Sequence, residues 1–96
     1  MIDLQMIYRH SGNIVSRLIG GEMILVPIRK NVGDMESIYT LNETGARVWE
    51  LIDGQRTLAE ILQHMVAEFE VAPPQAEQDL LELIDALQEQ GAAERI

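Results

Sequence analysis

The chain contains no cysteine. That single absence removes a disulfide framework, a zinc–thiolate site and a thiol nucleophile together. No stretch approaches the roughly 18 consecutive apolar residues of a membrane span. Met1 to His10 lacks the basic region and long apolar run of a secretory signal, so the expected location is the cytoplasm. Basic residues are also scarce: seven Lys and Arg stand against sixteen Asp and Glu, a net charge of −9. The imbalance is uneven. Residues 1–41 hold four acids and four bases and sum to zero, whereas residues 42–96 hold twelve acids against Arg47, Arg56 and Arg95. Nucleic acid and anionic membrane are poor partners for that second half.

What remains is an ordinary soluble composition, 47% hydrophobic and 24% charged over 96 residues. That length suits one domain, 1–96, with one modest core and no room for a deep enclosed active site.

Gly20-Gly21 separates two β-rich runs, Ile14 to Ile19 and Glu22 to Ile28. A Gly-Gly link supplies the positive φ angles of a tight hairpin turn. A polar loop from Arg29 to Glu36 leads to a third short strand, Ser37 to Leu41, which completes an antiparallel meander. The second strand is apolar on both faces, with Met23 and Leu25 on one and Ile24, Val26 and Ile28 on the other. A sheet with one wet face should alternate more cleanly. The expected cover for the second face is the N-terminal segment, where Ile2, Leu4 and Met6 alternate with polar residues. A partner is the alternative cover.

From Asn42 the period changes. Asn42 is a good N-cap, and Gly45, Val48, Trp49 and Ile52 follow on one helical face. Asp53-Gly54 ends that helix. Thr57 opens the next, and Glu60 completes a capping box. Leu58, Ile61, Leu62, Met65 and Phe69 form its apolar stripe. Pro73-Pro74 starts a third helix. Ala76, Leu80, Leu83, Ile84 and Leu87 are its core face, and Gly91 stops it. The tail from Ala92 is expected to be loose or a brief strand. The fold class is therefore α+β, a three-stranded antiparallel β-meander followed by three α-helices, winged-helix-like in its elements.

Catalytic constellations are hard to find. His10 and His64 have no ligand-spaced partners beyond Glu60, and both read as solvent-facing. Glu77, Asp79, Glu82, Asp85 and Glu89 lie on the polar side of the third helix. General acid–base work needs a shifted pKa in a dry cleft, which a solvated helix face does not provide. Ser11, Ser16 and Ser37 lack a nucleophile motif. Gly20-Gly21 lacks the helix and the Lys-Ser/Thr ending of a phosphate cradle. Neither a catalytic residue nor a cofactor or metal site is expected. A DNA-binding winged helix is the serious rival, but its recognition helix would carry five acids and no base between Pro74 and Ala93.

The run Ile38-Tyr39-Thr40-Leu41-Asn42-Glu43-Thr44-Gly45-Ala46-Arg47-Val48-Trp49-Glu50-Leu51-Ile52-Asp53-Gly54 is followed by Arg56-Thr57-Leu58 and Glu68-Phe69-Glu70-Val71. Asp79-Leu80 and the Leu83, Leu87, Gly91 spacing complete an ordered set over about residues 14–91. This set resembles the PqqD-like family, the peptide-recognition domains of ribosomally made, post-translationally modified peptide pathways. The resemblance implies a non-catalytic adaptor. It would bind the leader segment of a precursor peptide as a strand added beside the third strand, in a groove shared with the third helix. It would then present the peptide to a modifying enzyme, often a radical S-adenosylmethionine enzyme. Here the implied peptide-binding residues are Ile38, Tyr39, Thr40 and Leu41 on the strand, and Asp79, Leu80, Leu83 and Leu87 on the helix. Membership of the pyrroloquinoline quinone pathway itself does not follow.

Strand addition is physically reasonable, because the third strand is last in the meander and should have a free edge. Ordering a peptide residue costs about 1–2 kcal/mol, and a net backbone hydrogen bond returns about 0.5–1.5 kcal/mol. Affinity must then come from apolar side chains entering a groove, at about 25 cal/mol per Å². A winged-helix transcriptional regulator and a structural or dimerisation domain without a ligand are the alternatives, and a homodimer is left open.

Overall fold

The computed structural model describes residues 2–28 and 39–96. In chain order the elements are β1 (Tyr8–His10), β2 (Ile14–Ile19), β3 (Glu22–Pro27), β4 (Tyr39–Leu41), α1 (Glu43–Leu51), α2 (Leu58–Phe69), α3 (Pro73–Glu89) and β5 (Ala93–Arg95). The class is α+β: a three-stranded antiparallel sheet ordered β2-β3-β4, followed by three helices. A second sheet pairs β1 with β5 antiparallel.

Gly20 and Gly21 adopt φ of +57° and +85°, as a two-residue turn between twisted strands requires. That turn closes the Ile19–Glu22 pair and fixes the register, with Ser16 opposite Leu25 and Arg17 opposite Ile24. On the other side of β3, Met23 faces Leu41 and Leu25 faces Tyr39. Met23, Leu25 and Leu41 are buried on the helix side of the sheet, as the period-2 pattern demands. The expected start of the third strand at Ser37 and Ile38 lies outside the described residues, as does the expected loop from Arg29 to Glu36.

Each helix boundary has its cause in the sequence. The Asn42 side chain accepts from the Gly45 N–H at 2.9 Å. Thr57 and Glu60 cap each other reciprocally. Pro73 and Pro74 occupy the first turn of α3, where a missing N–H costs nothing. At the other end of α3, Gly91 has φ +76°. The Gly91 N–H donates to Gln88 O and the Ala92 N–H to Leu87 O, the paired bonds of a Schellman stop. Trp49, Leu58, Ile61, Ile84 and Leu87 meet in one core beneath the sheet.

One expectation about the chain ends needs correction. The N-terminal segment does not cover the outward face of the sheet. The N–H groups of Leu58 and Ala59 donate to Met6 O and Leu4 O, and Ile2, Leu4 and Met6 pack against the core. The segment is drawn there because the first turn of α2 has N–H groups that need acceptors. Among the described residues nothing covers the outward face, where Val15 is 47%, Ile19 53% and Ile28 61% exposed. The tail takes the second of its two expected forms, the brief strand β5, whose Ala93 is buried.

Candidate functional site

The ladder decides which backbone groups remain free. In an antiparallel pair, hydrogen-bonded and non-hydrogen-bonded positions alternate. The Ile28 N–H donates to Asn13 O at 2.8 Å, which makes odd-numbered residues of β2 and even-numbered residues of β3 the bonded set. The odd residues of β3 then bond to β4, so Tyr39 and Leu41 direct their N–H and C=O groups at β3. Thr40 is left with its N–H and C=O directed at the open side of the strand. Among the described residues no strand pairs with that side.

Beside this edge lies a groove of about 510 Å³ between β4 and α3. Its apolar lining comes from Leu41, Val48, Met65, Phe69, Leu80 and Leu83. Thr40, Asn42 and Thr44 supply neutral polar groups. The two charged residues in the lining are Glu22 and Asp79, both exposed. Ala76, Asp79, Leu80 and Leu83 reach it from α3 at i, i+3, i+4 and i+7, one helical stripe. Gly45 lines the groove where α1 passes closest to β4, and a Cβ there would lie 3.3 Å from the Leu41 Cβ.

The residues singled out in the sequence fall unevenly. Tyr39, Thr40, Leu41, Asp79, Leu80 and Leu83 all line the groove. Tyr39 and Leu83 are half-buried, Thr40 and Asp79 are exposed, and Leu41 and Leu80 are each 3% exposed. The Asp79 carboxylate accepts from Gln75 Nε2 at 2.8 Å. Leu87 continues the α3 stripe but lies beyond the groove, fully buried in the core where the helix packs against β5. Ile38 is outside the described residues. Glu22, Met65, Phe69 and Val71 also belong to the lining. Met65 and Phe69 carried a signal, the α2 stripe, but a stripe does not distinguish a packed face from one edge of a groove.

The groups with displaced pKa values stand elsewhere. Burial pushes the Tyr8 hydroxyl up, and that hydroxyl donates to Gln88 Oε1 at 2.9 Å. The Arg47 guanidinium, 2.8 Å away, holds the Glu68 carboxyl below its usual range. Backbone N–H groups of Arg56 and Gln55 do the same for Asp53. His10 is not solvent-facing as expected. Its ring stacks on Trp49 with centroids 3.7 Å apart, and its Nε2 lies 2.7 Å from Trp49 O. Among the described residues, no three His, Asp or Glu gather to hold a metal ion. No described helix is long and apolar enough to cross a membrane. The groove's chemistry is thus a polar strand edge over an apolar floor, suited to an extended ligand with apolar side chains.

Comparison with known proteins agrees with the pattern in the sequence. The family profile of Coenzyme PQQ synthesis protein D (PqqD) matches residues 22–92, from the start of β3 to just past α3. The chain belongs to the PqqD family. Two solved structures resemble this PqqD-family chain over nearly its whole length. One is TbiB1 in complex with the TbiA(beta) leader peptide, 27% identical, with a TM-score of 0.76 over 90% of this chain and 94% of that one. The other is a lasso peptide synthetase B1 complexed with the leader peptide, 25% identical, with a TM-score of 0.76 over 91% and 96%. No curated protein matches the sequence.

Proposed function

We propose that this PqqD-family chain is a non-catalytic adaptor, a single cytoplasmic domain that binds the leader segment of a precursor peptide and presents it to a modifying enzyme. Both similar solved structures hold a leader peptide, which supports the class of ligand. The observation that carries the reading is Thr40, whose N–H and C=O, unpaired among the described residues, stand beside an apolar groove. A leader strand would bond to Thr40. Its residues opposite Tyr39 and Leu41 would turn into the groove toward Leu80 and Leu83, and its residue opposite Thr40 would turn outward. The family resemblance names a radical S-adenosylmethionine enzyme as partner, and the likeness to a lasso peptide synthetase B1 adds a lasso-forming synthetase as a second candidate.

The test is a titration of the isotope-labelled chain with the leader of the precursor encoded beside it. Saturable amide shifts are expected at residues 39–41 and along Ala76 to Leu83. Thr40→Pro should weaken binding by about tenfold or more, because it removes one edge donor worth about 0.5–1.5 kcal/mol and obstructs the strand. The β3–β4 ladder should survive, since the Thr40 N–H is not part of it. Saturable shifts confined to another surface would refute the reading.

A further inference from the structure

Among the described residues the sheet has a second free edge. β2 pairs with β3 on one side and with no described strand on the other. The same alternation that frees Thr40 frees the even-numbered positions of β2, so Ser16 and Leu18 direct both backbone groups outward. Ile14 keeps only its C=O free there, since its N–H donates to Ser11 O at 3.3 Å. Val15 is 47% exposed and Leu18 59% exposed along this edge. Folded proteins blunt such edges with charges, bulges or covering chain, because an apolar unpaired strand recruits another strand. Here Arg17 supplies the only charge on β2.

We propose that the occupant of this edge is a second copy of the chain, joined β2 to β2 about a two-fold axis. Charge favours this over self-association through the helices. A two-fold brings like surfaces together. The helical half, residues 42–96, is net −9 and opposes its own approach, whereas residues 1–41 sum to zero. The strand is also self-complementary in one register. Centred on Ser16, it places Ile14 opposite Leu18 of the second copy on one face and Val15 opposite Arg17 on the other. The Arg17 stem can then cover Val15 while its head stays in water. Centred on Arg17 instead, it sets two guanidiniums in a close non-hydrogen-bonded pair, and like charges directly opposite are destabilising. Ser16 therefore marks the axis. A six-residue strand spans only about 20 Å, so the contact is small and the dimer should dissociate on dilution. Both β4 edges and both grooves remain open at the two ends of the resulting six-stranded sheet.

Sedimentation and light scattering of the full chain test this. The mass should rise with concentration from 10.8 kDa toward twice that value. Ser16→Pro removes an outward donor without touching the β2–β3 ladder, and it should abolish the rise. Leu18→Lys, at a site already exposed, should do the same if the proline variant fails to fold. The chain has no cysteine, so a single introduced thiol is unambiguous. Ser16→Cys should form an intermolecular disulfide readily, since paired Cα atoms on the axis lie about 5.5 Å apart. Arg17→Cys should not, because its copies would stand about 8 Å apart, beyond disulfide reach. A mass that stays at 10.8 kDa at every concentration overturns the proposal. So does a dimer that survives in Leu18→Lys, or one that cross-links through position 17 in preference to 16.

Discussion

Trp49 offers a pair of substitutions whose difference is more informative than either alone. The ring is 2% exposed and stacked on His10, and its Nε1–H has no hydrogen-bond partner among the described residues. A buried tryptophan removes about 150–250 Å² from water, or about 4–6 kcal/mol at 25 cal/mol per Å². Truncation also leaves a cavity, but it relieves an unsatisfied donor worth about 1–3 kcal/mol. Trp49→Ala should therefore cost about 3–5 kcal/mol. Against a total stability of about 5–15 kcal/mol, that is a large share. Trp49→Phe keeps most of the buried area and much of the stack, and it removes the orphaned N–H. The area lost, about 1 kcal/mol, is offset by the relieved donor, so this variant should lie within about 1 kcal/mol of the parent. Urea unfolding followed by far-ultraviolet circular dichroism measures both, since each variant lacks the only tryptophan. With a slope of about 1–3 kcal/mol per molar urea, the alanine midpoint should fall by about 2 M and the phenylalanine midpoint should barely move. If Trp49→Phe proves as damaging as Trp49→Ala, the indole N–H is satisfied and the reasoning fails.

Glu70 ends α2 in the left-handed region with φ +51°. That conformation costs a non-glycine residue about 1–2 kcal/mol, so Glu70→Gly should raise stability by up to about 1 kcal/mol in thermal unfolding. The Glu68 carboxyl is held below its ordinary pKa by Arg47, so its contribution is present above the unfolded pKa and lost as pH falls through the folded one. Glu68→Gln should flatten the acid limb of the stability–pH curve, and a parallel, merely displaced curve would count against the clamp. Leu83→Ala, at a half-buried groove position, should weaken leader binding with little change in melting temperature, whereas Leu80→Ala should lower both; equal effects would place Leu83 in the core.

The local signals were legible because each rests on one residue type at one spacing. Gly20-Gly21, Asn42, the Thr57–Glu60 box and Gly91 all perform the roles their chemistry suggests. The long-range pairings were not. β1 and β5 are three residues each and are joined across nearly the whole chain, and neither segment has enough periodicity to announce a strand. The cover expected for the outward face failed for a related reason. Ile2, Leu4 and Met6 alternate as a strand would, but alternation says nothing about which acceptor-hungry helix end the segment meets. The groove was half legible. Its strand and helix followed from the PqqD resemblance, whereas Glu22 reaches it from β3, Phe69 from the end of α2 and Val71 from the link to α3, and no spacing rule brings these three together. Leu87 shares its stripe with Leu80 and Leu83, and only the packing of β5 against the end of α3 takes it out of reach.

The chain of consequence from the Gly20-Gly21 turn reaches further than the hairpin it closes. A two-residue turn makes Ile19 and Glu22 a hydrogen-bonded pair, and every other assignment in the sheet follows by alternation. That parity turns Met23 and Leu25 inward, and it exposes the backbone of Thr40 at one edge and of Ser16 at the other. A shift of one residue would exchange all of these at once. Met23 and Leu25 would face water, and Tyr39 and Leu41, not Thr40, would hold the free edge. Binding surface and core are therefore specified by the same register, so a variant that slips it cannot lose one while keeping the other. Hence Thr40→Pro and Ser16→Pro are most informative as a pair. Each removes an outward donor and each should leave the ladder intact, but Thr40→Pro should weaken leader binding whereas Ser16→Pro should abolish the dimer.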